Sequence, residues 1–210
     1  MKIRKSLLRY VGCLSLLALS ANATTTHLLD TPNSALSGSS PGPFGTVIVN
    51  LSDPTHASIE FVANPGFVFL DGEAVDFNLN GSSVAITVST ISPGTVSLSA
   101  EGLGNADGFG KFNRRFTSGN AGPQGRFTEA LFNLVNNSGS WSSSDDVLID
   151  NALGNQVAAH IGVGGLSGDL PPTGFASASD LPVPEGSSTA ILLGLATLVF
   201  GSIPRRLFRK

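Results

Sequence analysis

Segments in which apolar and polar residues alternate recur along the chain, at a regular spacing of roughly ten residues. In the segment 83–91, Val84, Ile86 and Val88 are separated by small or hydroxyl-bearing residues. A period of two puts alternate side chains on opposite faces of an extended strand, which is typical of a half-buried β-strand. The body of the chain shows no sustained helical periodicity, so the pattern predicts an all-β fold.

Turn-forming sequences separate these segments. Asn64-Pro65-Gly66, Asn80-Gly81-Ser82 and Ser92-Pro93-Gly94 combine residues that favour tight turns. Short strands with such turns between them indicate a single β-sandwich or jelly-roll-like domain over residues 45–177. Residues 24–44 are expected to form a flexible lead-in. The predicted strands are 45–52, 57–63, 67–71, 74–80, 83–91, 95–103, 110–116, 126–137 and 156–164.

The first 23 residues have the pattern of a secretory signal peptide. Four basic residues precede a short apolar stretch at 11–19, and the small residues Ala21 and Ala23 follow it. The apolar stretch is about half as long as the roughly 20 residues that a membrane-spanning helix needs. We therefore predict export, with cleavage of residues 1–23 after Ala23.

Cysteine use and charge limit what the exported protein can be. Cys13 is the only cysteine and lies in the predicted signal peptide, so the mature domain must rely on core packing instead of disulfides. Residues 24–185 contain four basic residues and all 15 acidic ones, a balance of −11. A body this acidic repels phosphate backbones, so nucleic acid is not an expected partner.

The chain ends in an uncharged apolar run followed by a basic cluster. A helix over residues 187–204 would reach roughly 27 Å, close to the ~30 Å hydrocarbon core of a bilayer. Positive residues next to a span stay on the cytoplasmic side, so we predict a transmembrane helix with a cytoplasmic tail at 205–210. The alternative, a buried C-terminal helix, would carry polar residues every third or fourth position. The tail charges are Arg205, Arg206, Arg209 and Lys210.

The order of these terminal features resembles a known sorting signal. Pro184 and Glu185 lie in a predicted linker, 178–186, and are followed by Ser/Thr residues, the apolar span and the basic cluster. This order is similar to the PEP-CTERM signal of Gram-negative bacteria that make exopolysaccharide. The resemblance implies processing by exosortase, a membrane-embedded cysteine protease-transpeptidase, with Pro184 and Glu185 at the first two motif positions. Gly186 stands where that family has proline.

Parts of the body resemble the same group of exported proteins. These segments recur in PEP-CTERM proteins of unassigned activity, and the resemblance brings no known catalytic residues. The segments are 105–113, 134–163 and 173–177.

A second sorting signal competes with the first. Residues 170–174 read Leu-Pro-Pro-Thr-Gly, which fits the sortase pattern LPxTG. Sortase signals normally place the span a few residues after the glycine, whereas here roughly a dozen residues intervene. Because Pro184 and Glu185 occupy the position next to the span, processing by exosortase is the preferred hypothesis.

Residues able to carry catalytic chemistry are scattered. No two of His27, His56 and His160 stand at metal-ligand spacing, and no G-x-S-x-G motif occurs, so neither a cofactor nor a metal is expected. A group of acidic and amide residues offers oxygen ligands for Ca²⁺ but lacks the EF-hand spacing. That group is Asp145, Asp146, Asp150, Asn151 and Asn155.

The aromatic residues favour a structural interpretation. Phe61, Phe67, Phe69 and Phe77 fall within predicted strands and are expected to pack in the core. Trp141 is either a core residue that anchors a turn or a platform on which sugars stack, and we favour the core.

Together these features predict an exported, non-enzymatic protein with a structural or adhesive role in an exopolysaccharide or biofilm layer. The expected partners are exosortase, the membrane and exopolysaccharide. The competing class is an extracellular carbohydrate-acting enzyme or carbohydrate-binding module. A glycosidase requires two carboxylates in one cleft, and the sequence identifies no such pair.

Overall fold

The computed structural model describes residues 23–38, 40–94, 96–119, 122–166, 172–178 and 183–184. These residues contain two 3-10 turns, at Gly122–Gly125 and Ser144–Asp146, and no α-helix, so the all-β prediction is confirmed for them. The strands are β1 (Ala23–Pro32), β2 (Gly45–Asp53), β3 (His56–Ala63), β4 (Phe67–Phe69), β5 (Gly72–Phe77), β6 (Val84–Ser92), β7 (Leu98–Ala106), β8 (Gly110–Ser118), β9 (Glu129–Asn136), β10 (Val157–Val163), β11 (Thr173–Ala178) and β12 (Val183–Pro184).

All of these strands belong to one antiparallel sheet that is nearly closed. Its order is β6-β9-β3-β2-β1-β11-β10-β5-β8-β7, with β12 against β1 and β4 against β10. The two end strands, β6 and β7, follow each other in the chain, yet no ladder joins them among the described residues. A groove of about 500 Å³ marks this seam, and Val88, Ile91 and Leu98 line it.

The curvature of the sheet brings two walls face to face. Phe61 on β3 and Phe132 on β9 belong to one wall, and Phe77 on β5 and Phe116 on β8 belong to the other. The ring centroid of Phe132 lies 4.6 Å from that of Phe116 and 5.4 Å from that of Phe77. The predicted core packing is confirmed for Phe61, Phe69 and Phe77, which are all fully buried. Contacts between these rings therefore hold the two walls together.

Trp141 also belongs to the core, as predicted. Its ring is 1% exposed, and its Nε1 donates a hydrogen bond to the carbonyl oxygen of Asn80 at 2.7 Å. Val147 and Leu148 belong to the same buried cluster. Because the indole is enclosed, it does not offer a surface on which a sugar could stack. Phe67 is only partly buried and packs edge-on against the buried ring of Phe44.

Two strands that pair with distant parts of the chain were not predicted from the sequence. β1 occupies much of the expected flexible lead-in, so that expectation was wrong for residues 24–32. Seven of its residues pair with β2, but its inward positions include Thr25 and His27, which weakens the apolar alternation. β11 pairs with both β10 and β1 and is made mostly of small residues that the hydrophobic pattern does not mark.

Several predicted features lie outside the described residues. These include Ala21, Glu185, the transmembrane helix over 187–204 and the basic tail, whereas Ala23 begins β1. Among the residues that the structure does describe, no helix is long and apolar enough to cross a membrane. Within the predicted linker, Val183–Pro184 forms β12, and its two residues pair with Thr26 and Thr25 of β1.

A buried ion pair lies on the outer side of β5, against β7 and β8. Asp76 is completely buried, and Arg115 donates from Nε and Nη2 to its two carboxylate oxygens at 2.9 and 3.0 Å. Nη1 of Arg115 also lies 2.5 Å from a carboxylate oxygen of Glu73. Gly104 on β7 lies so close to Asp76 that it has no room for a Cβ atom. The glycine thus lets β7 cover the pair.

Candidate functional site

The outer face of β1, β2, β3, β9 and β6 carries a straight row of uncharged polar side chains. Thr24 pairs in register with Asn50, Asn50 with Ser58, Ser58 with Asn133, and Asn133 with Thr87. On β2, β3 and β9 the residues adjacent to these in sequence are all buried, which places the row on the outside of the wall. We call these five residues the polar row.

A shallow groove follows the middle of the polar row. Its volume is about 390 Å³, and its lining includes Asn50, Ser58, Asn133, His56 and Val135. Neighbouring strands lie about 4.8 Å apart, so the four intervals of the row extend roughly 19 Å across the sheet. We call this feature the outer groove. Its lining offers amide and hydroxyl groups, which both donate and accept hydrogen bonds.

The position of one amide in the polar row is fixed by its neighbour. The hydroxyl of Thr24 donates a hydrogen bond to Oδ1 of Asn50 at 2.6 Å. Asn50 and Ser58 are half-buried, whereas Asn133 and Thr87 are exposed. The row therefore presents its amide and hydroxyl groups on a surface that solvent and large molecules can reach.

Asp53 fixes the turn between β2 and β3 at one end of the outer groove. Its Oδ1 accepts hydrogen bonds from the backbone N–H groups of Thr55 at 2.8 Å and His56 at 2.9 Å. Its Oδ2 lies 2.9 Å from Nδ1 of His56. The backbone hydrogen bond from Thr55, followed by the hydrogen bond with the His56 ring, lowers the pKa of Asp53 from 3.8 to about 2. This carboxylate therefore stays ionised at all but very acidic pH.

The charges nearest to the polar row on this face are negative. Glu60 follows Ser58 by two residues on β3, and Glu129 lies at the start of β9 on the same outer side. The four basic residues of the described body lie on β8 or just before β9, and two of them are buried. They are Lys111, Arg114, Arg115 and Arg126. The face is therefore neutral along the row and anionic around it.

The oxygens considered for a Ca²⁺ site mainly stabilise loops. A carboxylate oxygen of Asp146 accepts a hydrogen bond from the side chain of Asn80 at 3.1 Å. Oδ1 of Asn151 accepts two backbone N–H groups, and Oδ1 of Asn155 accepts the hydroxyl of Ser177 at 2.9 Å. Within the described ranges, no group of three or more His, Cys, Asp or Glu side chains is placed to hold a metal ion.

A cluster of hydroxyl and carboxyl groups joins the turn at Ser144–Asp146 to β1. Oγ1 of Thr25 lies 2.6 Å from Oγ of Ser144 and donates a hydrogen bond to a carboxylate oxygen of Asp145. Ser144 is 4% exposed, so its hydroxyl is closed off from solvent. The cluster therefore serves to connect two parts of the fold.

The two carboxylates that share Arg115 do not form a cleft of the glycosidase type. Glu73 is half exposed, but Asp76 is completely buried and both of its oxygens bind the guanidinium. A general acid and a nucleophile must both reach the sugar. This pair of carboxylates stabilises the fold.

His160 on β10 is half-buried, and one face of its ring is covered. Its ring stacks on Phe175, with centroids 4.8 Å apart, and its Nδ1 is buried without a hydrogen-bond partner among the described residues. Burial lowers the pKa of His160, and the nearby Asp71 and Glu73 oppose this shift only in part. The pKa of His27 is also lowered by burial, and the opposing charge is that of Asp145.

We expect the protein to lose stability as the pH falls below 6.5, the ordinary histidine pKa. The unfolded chain takes up protons that the buried rings of His27 and His160 do not, so acid favours unfolding until the pH passes the lowered pKa values. Urea unfolding midpoints measured between about pH 5 and 8 test this. His160→Gln should flatten the dependence, because it removes one of the two histidines whose pKa is lowered by burial. An unchanged slope in His160→Gln would contradict the prediction.

The segments 105–113, 134–163 and 173–177 meet around one loop. Asn151 and Asn155 both donate side-chain hydrogen bonds to the carbonyl oxygen of Phe109, at 2.8 and 3.2 Å. Phe109 packs in a small buried cluster that includes Phe175. The asparagines and aromatic rings of these segments therefore have structural contacts with one another.

The polar row was not identified from the sequence. Its members are ordinary Ser, Thr and Asn residues at the outward positions of five strands, and the order of those strands in the sheet brings them into line. The outward alternation on each predicted strand was the available signal, but pairing between distant strands does not follow from it. The chain as a whole matches no protein-family model, no curated protein and no solved structure.

Proposed function

We propose that this chain is an exported bacterial surface protein with a structural or adhesive role in an exopolysaccharide or biofilm layer. In this proposal a sandwich-like domain follows a cleaved signal peptide and precedes a transmembrane helix over 187–204. Exosortase processes the chain near Pro184 and Glu185 and leaves the domain at the cell surface or in the surrounding matrix. The order of the C-terminal features carries the proposal: Pro-Glu, an uncharged apolar run and then a basic cluster.

The physical argument concerns where the processing site is held. The apolar run sets the depth of the helix in the bilayer, and the basic residues after it resist transfer to the outer side. Pro184 and Glu185 then lie at the outer membrane–water boundary, within reach of a membrane-embedded enzyme. Because β12 ends at Pro184, little chain separates the domain from that boundary.

We expect cells with exosortase to shorten the exported protein near Pro184 and Glu185, and cells without it to keep the full-length, membrane-bound form. Intact-mass measurement and membrane fractionation of both strains test this. Replacing Pro184 and Glu185 with alanine should block shortening but keep the membrane anchor. Replacing Arg205, Arg206, Arg209 and Lys210 with glutamine should reduce both.

The mass of the exported chain distinguishes processing by exosortase, processing by sortase and a simple membrane anchor. A mature chain that ends near Thr173 would favour sortase, because LPxTG is cut between its threonine and glycine. A chain that keeps Lys210 in cells with exosortase would mean that the tail is a simple anchor, and the processing step would be abandoned.

A carbohydrate-binding module is the second candidate function. The neutral, hydrogen-bonding lining of the outer groove favours it, because Asn50, Ser58 and Asn133 offer side chains that can bind sugar hydroxyls.

A further inference from the structure

We propose that the outer groove binds an extended, uncharged polysaccharide chain that runs across the strands, along the polar row. The inference rests on the proposed function for the claim that the protein meets such polymers in its surroundings. The binding itself depends only on the folded domain.

The spacing of the polar row suits a polymer. Thr24, Asn50, Ser58, Asn133 and Thr87 each lie one strand further across the sheet, so a side chain recurs at intervals of about 4.8 Å over roughly 19 Å. One hexose unit in an extended chain has a similar length. A chain of about five sugars would therefore meet one polar side chain at each unit.

The chemistry of the lining suits sugar hydroxyls. Asparagine amides and serine or threonine hydroxyls supply both donors and acceptors, as sugar hydroxyls do. Val135 pairs in register with His56 and Ala85 and lies beside the row on the same outer face. It adds an apolar contact for the C–H groups of a sugar ring. The groove thus combines a row of polar side chains with an apolar contact beside it.

The negative charges beside the outer groove favour an uncharged polysaccharide. Asp53 follows Ser52 of the groove lining and contacts the ring of His56, and its pKa of about 2 keeps it ionised. Glu60 lies two residues beyond Ser58 on the same face. The basic residues of the described body are buried or lie on β8. An anionic polymer such as alginate would meet negative charge, and the described lysine and arginine residues lie on β8 or just before β9, so a neutral polymer is the better fit.

Titration of the full-length chain in detergent with two neutral hexasaccharides tests the inference. The probes are a β-1,4-glucan and a β-1,4-mannan, with an alginate hexasaccharide as the anionic comparison. Binding is followed by NMR amide shifts, and we expect the shifts to cluster on β2, β3 and β9 for at least one neutral probe. Alginate should bind at least about tenfold more weakly.

Substitutions connect the binding to the polar row. The double variant Ser58→Ala/Asn133→Ala removes two hydrogen-bonding groups and should weaken binding roughly tenfold. Asn105→Ala, at an exposed position on β7, is the matched control and should bind as the parent does. Thermal unfolding of all variants checks that the fold is kept.

The proposal is overturned if neither neutral probe binds, if the double variant binds like the parent, or if alginate binds as tightly as the neutral probes. These outcomes are independent of the mass measurements on exported protein. If processing fails while polysaccharide binding is intact, only the proposed sorting route is contradicted. If binding fails while processing is intact, only the proposed binding site is contradicted.

Discussion

Replacing Arg115 with methionine should destabilise the folded chain by about 3–5 kcal/mol, because it leaves the carboxylate of Asp76 buried without its counter-ion. Asp76 is completely buried, and both of its oxygens accept hydrogen bonds from Arg115. Urea unfolding followed by Trp141 fluorescence measures the effect. Burial already raises the pKa of Asp76, and loss of the guanidinium will raise it further. As the pH is lowered, Asp76 in this variant takes up a proton and is then buried without a charge. The loss of stability should therefore be larger at neutral pH than near pH 4.

Two further variants separate charge from packing at this site. Asp76→Ala combined with Arg115→Met removes both charges and should recover part of the lost stability. Arg114→Met, on the same strand but only half-buried, should cost less than about 1 kcal/mol. If Arg115→Met and Arg114→Met unfold at the same urea concentration, the buried ion pair does not make the predicted contribution to the free energy of unfolding.

Replacing Phe132 with alanine should cost about 3–5 kcal/mol, because it removes a fully buried ring that contacts both walls of the sheet. Phe132 is fully buried, and its ring contacts those of Phe61, Phe77 and Phe116. Those partners come from three other strands, so the cavity would border both walls. Equilibrium unfolding in urea gives the change in free energy.

The residue before it in the sequence is the matched control. Leu131 lies on the outer face of β9 and is partly exposed, so Leu131→Ala removes apolar surface without opening a core cavity. We expect a cost below about 1 kcal/mol. Equal losses for the two variants would mean that the ring cluster is not the centre of the core.

The local structure of this chain was largely predictable from its sequence. Val47, Val49 and Leu51 on β2 face the core at every second position, and this apolar alternation predicted the strand. Turn residues such as Asn80 and Gly81 marked strand ends because their backbone preferences act locally. Core packing of the phenylalanines followed from their place within the strands.

The features that were not predicted, β1 and the polar row, depend on contacts between residues far apart in the sequence. In β1, Thr25 faces inward because its hydroxyl meets Ser144 and Asp145, more than a hundred residues away. Residue pattern alone does not reveal such a partner. The polar row has the same origin: Asn133 lies beside Ser58 and Thr87 only because β9 inserts between β3 and β6. The alternation of residues along one strand does not specify which other strand it will pair with.

The position of β11 within the sheet has a mechanical consequence. β11 is the last long strand before the proposed anchor, and it lies between β1 and β10 instead of at an edge. A pull from the C-terminal side first meets the two-residue ladder of β12 with β1, and once that ladder opens it acts along β11. The hydrogen bonds of the antiparallel ladders on either side of β11 run perpendicular to that strand. The bonds to both neighbours are then loaded together in shear and do not open one after another. If the domain is tethered as proposed, the ladders on both sides of β11 would resist such a pull together.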